Sequence, residues 1–190
     1  MALPATKTYN TDAFEAFIAQ PENLDRYFEL INEEIVEKSM PTEEHALIAG
    51  LWIYFLNSYA LEHGVGIAGP EARFKVKGDK RNTRQPDVSM ILDPDAPITT
   101  KGASTRVPDV IVEVMSPDDN IDELREKAKY YIANSTRLVI LTFPRQKIVE
   151  VYRPNAPTEM LTAEDTLEGY DVLPGFSLPI ASLFIKKRGG

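Results

Sequence analysis

Glu113 stands within Val110-Ile111-Val112-Glu113-Val114-Met115, an apolar run that otherwise reads as a buried strand. A carboxylate at such a position is costly unless a metal ion or a cationic side chain partners it. A second strand-like segment, Pro86-Asp87-Val88-Ser89-Met90-Ile91-Leu92, carries another acid at its start. Downstream, a helical segment directs Lys127 toward the same strands. Two acids and an inward lysine suit metal-assisted hydrolysis.

Spacing decides which acids can cooperate. Strand alternation puts Asp109, Ile111, Glu113 and Met115 on one face and Val110, Val112 and Val114 on the other. Asp109 and Glu113 then lie roughly 13 Å apart at ~3.3 Å per residue, too far to share one ion. Asp87, on a different strand, is free to approach Glu113, so it is the better partner, and Asp109 serves a turn or strand end. At 100° per residue, Ile121, Leu124, Ala128, Tyr131 and Ile132 form one apolar helix face. Lys127 falls inside that stripe, Lys129 points away, and Arg125 lies at its margin. A lysine aimed at a sheet calls for a carboxylate or an open cleft, and Glu113 is its natural partner.

Such a trio could act on a phosphodiester. Asp87 and Glu113, with the Val114 carbonyl, would hold Mg²⁺ or Mn²⁺, which polarises a phosphoryl oxygen and acidifies a bound water. Lys127 would orient that water or stabilise charge building on the phosphate. A purely structural Glu–Lys pair, with Asp87 as an ordinary strand-start acid, is the alternative the same residues allow. His45 reads as a capping or packing residue, and Ser116-Pro117 as the turn into a helix. A serine nucleophile has little support, because neither His45 nor His63 has a partner motif nearby.

The elements that must position these groups follow from caps and periodicity. Thr11-Asp12 opens a short helix through Phe14, Phe17 and Ile18 that stops near Pro21. Arg26–Ile31 and Ile35–Glu37 flank Asn32-Glu33 as a hairpin. Pro41-Thr42-Glu43-Glu44 opens the longest helix, with Leu47, Ile48, Leu51, Tyr54, Phe55 and Tyr59 as its expected core stripe and His63-Gly64 as its end. Strands are expected over Ile67–Val76, Asp87–Leu92, Asp109–Met115, Leu138–Phe143 and Ile148–Tyr152, with a helix over Asp118–Asn134. Pro94, Pro97 and Gly102 mark a loop, and Leu173–Pro179 is turn and extended chain before an apolar segment ending at Phe184. Strands interleaved with a few helices, without a repeat or long linker, indicate one α/β domain over 1–190 with a mixed sheet.

Composition narrows the chemistry. No cysteine and only His45 and His63 exclude disulfides, thiolate metal sites and all-histidine centres, so an ion would be held by oxygen. The net charge of −8 opposes bulk attraction to nucleic acid. Locally, however, Arg73, Lys75, Lys77, Lys80, Arg81 and Arg84 face only Asp79, either as a phosphate-meeting patch or as a solvated hairpin. No membrane-span-length apolar run occurs, Met1–Lys7 lacks a secretory apolar core, and Lys186–Gly190 reads as a frayed end. These features lead to a cytoplasmic expectation.

Several segments together resemble the Uma2 family of restriction-type endonucleases, within the PD-(D/E)XK nuclease superfamily. They are Glu29–Glu37, Pro41-Thr42-Glu43-Glu44-His45, Gln85-Pro86-Asp87-Val88, Pro108–Pro117, Lys127 with Tyr131, and Leu173–Pro179, spanning about 27–184. The resemblance implies a restriction-endonuclease-like mixed sheet flanked by helices, with Asp87 and Glu113 as metal-binding acids. It also implies that Glu34 assists the metal and that Gln85 lines the site. The superfamily's usual lysine position is Met115 here, and Lys127 on the next helix matches the relocated lysine of such families. A DNA substrate and a homodimer are further implications. The segment Arg137–Thr142 departs from the pattern, lacking the aromatic and terminal acid often found there.

Overall fold

The computed structural model describes residues 8–184, so the readings of Met1–Lys7 and Lys186–Gly190 lie outside the described residues. The chain forms two compact units. One is built from residues up to Met40 with Arg73–Gln85 and Thr99–Arg106, the other from Pro41–Ala72, Pro86–Ile98 and residues from Val107 onward.

In the first unit, helix α1 (Thr11–Ile18) starts where the Asn10 side chain accepts from the Ala13 N–H at 2.8 Å. Strands β1 (Phe28–Ile31) and β2 (Glu34–Glu37) pair antiparallel around Asn32 and Glu33, both at positive φ, as the tight two-residue hairpin turn demands. Phe14, Phe28 and Leu30 form a small buried core under Phe17 and Ile35. The basic stretch is held within this unit. Thr83 bridges to Leu30, Phe74 bridges to Arg84, Arg84 is buried, and Arg73 meets Glu15 at 3.1 Å. Lys77, Lys80 and Arg81 remain exposed.

The second unit contains helix α2 (Glu43–His63), then β3 (Ile67–Pro70), β4 (Val88–Ile91), β5 (Val110–Val114), helix α3 (Ile121–Ala133), β6 (Leu138–Phe143), β7 (Ile148–Tyr152) and β8 (Glu159–Thr162). These strands make one sheet in the order β3-β4-β5-β6-β7-β8. Only β5 and β6 run parallel, because α3 carries the chain back across the sheet between them; the other neighbours are antiparallel. The sheet is therefore mixed, as expected. A separate antiparallel ribbon joins β9 (Thr166–Glu168) to β10 (Ser177–Pro179).

One face of the sheet, with Val110, Val112, Val114, Leu138 and Ile140, packs in a common core with Ile48, Trp52 and Leu56 of α2. Ile111 and Glu113 alternate to the opposite face, toward α3, whose Leu124, Ala128 and Tyr131 are buried. Two expectations need correction. The strand that should have run from Ile67 to Val76 ends at Pro70, where Glu71 takes φ 53°, a left-handed conformation that breaks extended pairing. The stripe expected on α2 is also rotated. Leu47 and Tyr54 are exposed, while His45, Trp52 and Leu56 point inward with Ile48 and Tyr59.

Across the α3-facing side, Glu113, Leu141 and Glu150 stand in register on β5, β6 and β7. Glu150 accepts from Arg125 at 2.5 Å and from the Tyr152 hydroxyl at 2.8 Å. Burial alone would push the Glu150 carboxyl up, but these donors outweigh it and hold it below the ordinary carboxylate range. Its stabilising contribution is therefore present above the unfolded value and is lost as pH falls through the lower folded value. Arg125→Met removes the main lowering partner, so acid unfolding followed by circular dichroism should have its midpoint at higher pH than wild type. An unchanged midpoint would mean that Tyr152 alone sustains the shift.

Candidate active site

Asp87 precedes β4, and its Oδ2 accepts from the Val114 backbone N–H at 2.8 Å, which sets it against the C-terminal end of β5. The same oxygen is 3.0 Å from His45 Nε2, in the first turn of α2. Thr42 orients that turn, its hydroxyl accepting from the His45 N–H at 3.2 Å. Glu113, one residue before Val114, receives two donors on Oε1: Lys127 Nζ at 2.9 Å and the Tyr131 hydroxyl at 2.7 Å. Both carboxylates are deeply buried, with side-chain exposures of 6% for Asp87 and 3% for Glu113.

Of the three side chains singled out from the sequence, Glu113 and Lys127 meet directly, and Asp87 is tied to the backbone of β5 at Val114. Lys127 reaches Glu113 as its helical face requires, and Lys129 points outward to Glu126 at 2.6 Å. Asp109 takes the strand-end role expected of it, its Oδ2 accepting from Leu92 N–H at 2.9 Å. Glu34 and Gln85 belong to the other unit, where Glu34 is exposed on β2 and the buried Gln85 donates its N–H to Glu29 at 2.7 Å.

His45 and Tyr131 are the two contacts the sequence reading did not assign. Tyr131 lies four residues from Lys127, so one helix face delivers both to Glu113. His45 lies three residues before Ile48 and seven before Trp52, both buried, so the inward face of α2 carries it to Asp87.

The donor set favours a hard cation. Asp87 and Glu113 bring two carboxylates to the cluster, against the Lys127 ammonium and the His45 imidazole. Among the described residues, no group of three or more His, Cys, Asp and Glu side chains lies close enough to hold an ion on its own. An ion here would be held by two carboxylates, a backbone carbonyl and water, an arrangement Mg²⁺ and Mn²⁺ accept and zinc disfavours.

A mixed sheet covered by α2 and α3, with two acids and a lysine at the end of a central strand, defines the restriction-endonuclease-like α/β class. The chain belongs to the Uma2 family, whose description, "Putative restriction endonuclease", applies to a match over residues 14–181. A crystal structure titled as "a putative nuclease belonging to DUF820 from Anabaena variabilis ATCC 29413" is similar at a TM-score of 0.79 and 24% identity, covering 92% of this chain and 97% of that one. That likeness carries the fold. No curated protein matches. Family and fold together support a nuclease, an enzyme of phosphodiester hydrolysis. No helix among the described residues is long and apolar enough to cross a membrane.

Proposed function

We propose that this protein is a divalent-metal-dependent endonuclease acting on DNA, with Asp87, Glu113 and the Val114 carbonyl holding Mg²⁺ or Mn²⁺. The observation that carries this reading is a pair of buried carboxylates, Asp87 on the Val114 N–H and Glu113 one residue before Val114, each held through one oxygen by two donors. Clamping removes rotational freedom before an ion arrives, which is what preorganised ligands contribute. When bound, the ion supplies Lewis acidity and a more acidic water. The chain's own groups do the remaining work. Lys127 and Tyr131 orient Glu113, and the Lys127 ammonium offers positive charge beside the phosphoryl group as negative charge builds. Val114 N–H and His45 orient Asp87.

Cutting two strands calls for two such sites, so we include a homodimer in the proposal. Leu47, Tyr54 and Leu61, seven residues apart along α2 and all exposed, offer a second copy an apolar stripe to cover. A catalytically silent nuclease-fold module binding nucleic acid or a protein partner is the second reading, favoured by Met115 at the usual lysine position, with the −8 net charge favouring the protein partner.

Calorimetry with Mn²⁺ and plasmid cleavage in Mg²⁺ or Mn²⁺ separate the two. Metal binding with cleavage supports the enzyme, metal binding without cleavage of DNA or RNA supports the module, and absence of metal binding removes the proposed centre. His45→Leu should weaken Mn²⁺ binding by about 10- to 100-fold, the usual effect of losing a group that orients a ligand. His45→Gln, which can present an amide nitrogen to Asp87, should recover most of that affinity. Equal affinities in wild type and His45→Leu would remove His45 from the centre.

A further inference from the structure

The α2-side wall of the site continues into a cavity of about 80 Å³, bordered by Thr42, Glu44, His45, Ser116, Arg145 and Gln146. That is several times the roughly 10–15 Å³ needed to hold one water. It therefore has room for a compact oxyanion. His45 ties it to the candidate centre, since the residue that borders the cavity also meets Asp87 at 3.0 Å. Met115, directly after the proposed carbonyl ligand, borders it as well.

The lining mixes these polar groups with Met115, Pro117 and Pro144, and its one arginine, Arg145, comes from the tight loop between β6 and β7. Pro144–Lys147 form that loop, closed by a Lys147 N–H to Pro144 carbonyl hydrogen bond at 3.3 Å. Arg145 is exposed and presents a planar fork suited to two phosphate oxygens, and Ser116 and Gln146 add neutral donors. Glu44 is the opposing charge on the wall.

From this geometry we infer that the cavity is a phosphate subsite, receiving a backbone phosphodiester beside the bond to be cut, with Arg145 as its anchor. The inference rests on the nuclease reading and deepens it: substrate affinity would come from a local cation at the site's mouth, despite the acidic surface as a whole. A strand whose neighbouring phosphate is seated here has its next phosphate delivered toward Asp87 and Glu113.

The test is fluorescence anisotropy of the full chain with a labelled DNA duplex, in Ca²⁺ to suppress cleavage, across a series of salt concentrations. Arg145→Gln should weaken binding about 5- to 10-fold and make the salt dependence shallower by roughly 0.9 in log–log slope, the value of one lost phosphate contact. Glu44→Gln should tighten binding about 2- to 5-fold by removing the opposing charge. Lys129→Gln, on the outer face of α3, serves as the charge control and should change neither by as much. If wild type binds and Arg145→Gln matches it in affinity and slope, the subsite is overturned while the nuclease reading stands. If wild type binds no DNA, both are overturned; plasmid cleavage by wild type tests the nuclease reading on its own.

Discussion

Replacing Asp87 by Asn should abolish measurable Mn²⁺ binding and reduce cleavage by about 10³-fold, as expected when a centre worth several kcal/mol of charge stabilisation is lost. The substitution is nearly isosteric. Its amide oxygen can still accept from the Val114 N–H, so the β4–β5 junction should hold and the loss should be one of charge. The site then loses one of its two carboxylates, which weakens its attraction for a cation. Glu150→Gln is the matching control, because Glu150 is a buried acid in register with Glu113, two strands away, and is held by Arg125 and Tyr152. It should leave Mn²⁺ affinity at the wild-type value. Calorimetry on both variants, with circular dichroism to establish folding, checks the pair. Wild-type Mn²⁺ affinity in folded Asp87→Asn would end the metal assignment.

The helices and central strands were legible because their signals are local. Thr42 and Gly64 bound α2 as a side-chain cap and a left-handed end, and alternation put Glu113 opposite the valines of β5. Lys127 was legible for the same reason, since a helix with only three buried positions, Leu124, Ala128 and Tyr131, has one inward face. The face of α2 was not. It is apolar nearly all round, so periodicity could not separate Leu47 and Tyr54 from Trp52 and Leu56, and His45 was read as a capping or packing residue. Short strands with few apolar residues, such as β8 and β9, were missed because their order comes from partners distant in sequence. His45 on Asp87 is a contact across 42 residues, of a kind no local pattern encodes.

Lys127→Met separates the two roles that the sequence left open for the Glu113–Lys127 pair. With the ammonium gone, Glu113 keeps only the Tyr131 hydroxyl among the two donors on Oε1, at 3% side-chain exposure. Leaving one member of a buried pair uncompensated costs about 3–5 kcal/mol, and for a chain of this length that lowers the melting temperature by roughly 10 °C. Glu113→Gln should cost less, because the longer lysine stem can carry its charge toward water. The double variant Glu113→Gln/Lys127→Met has no buried charge to strand, so it should recover most of the stability lost by Lys127→Met alone. A purely structural pair predicts that cleavage returns with stability. An active-site pair predicts a folded, stable double variant that cleaves no plasmid, because the ion's carboxylate and the ammonium beside the phosphoryl group are both missing. Thermal melts and plasmid assays on the same four proteins decide between these outcomes, and restored cleavage in the double variant would assign the pair to the fold alone.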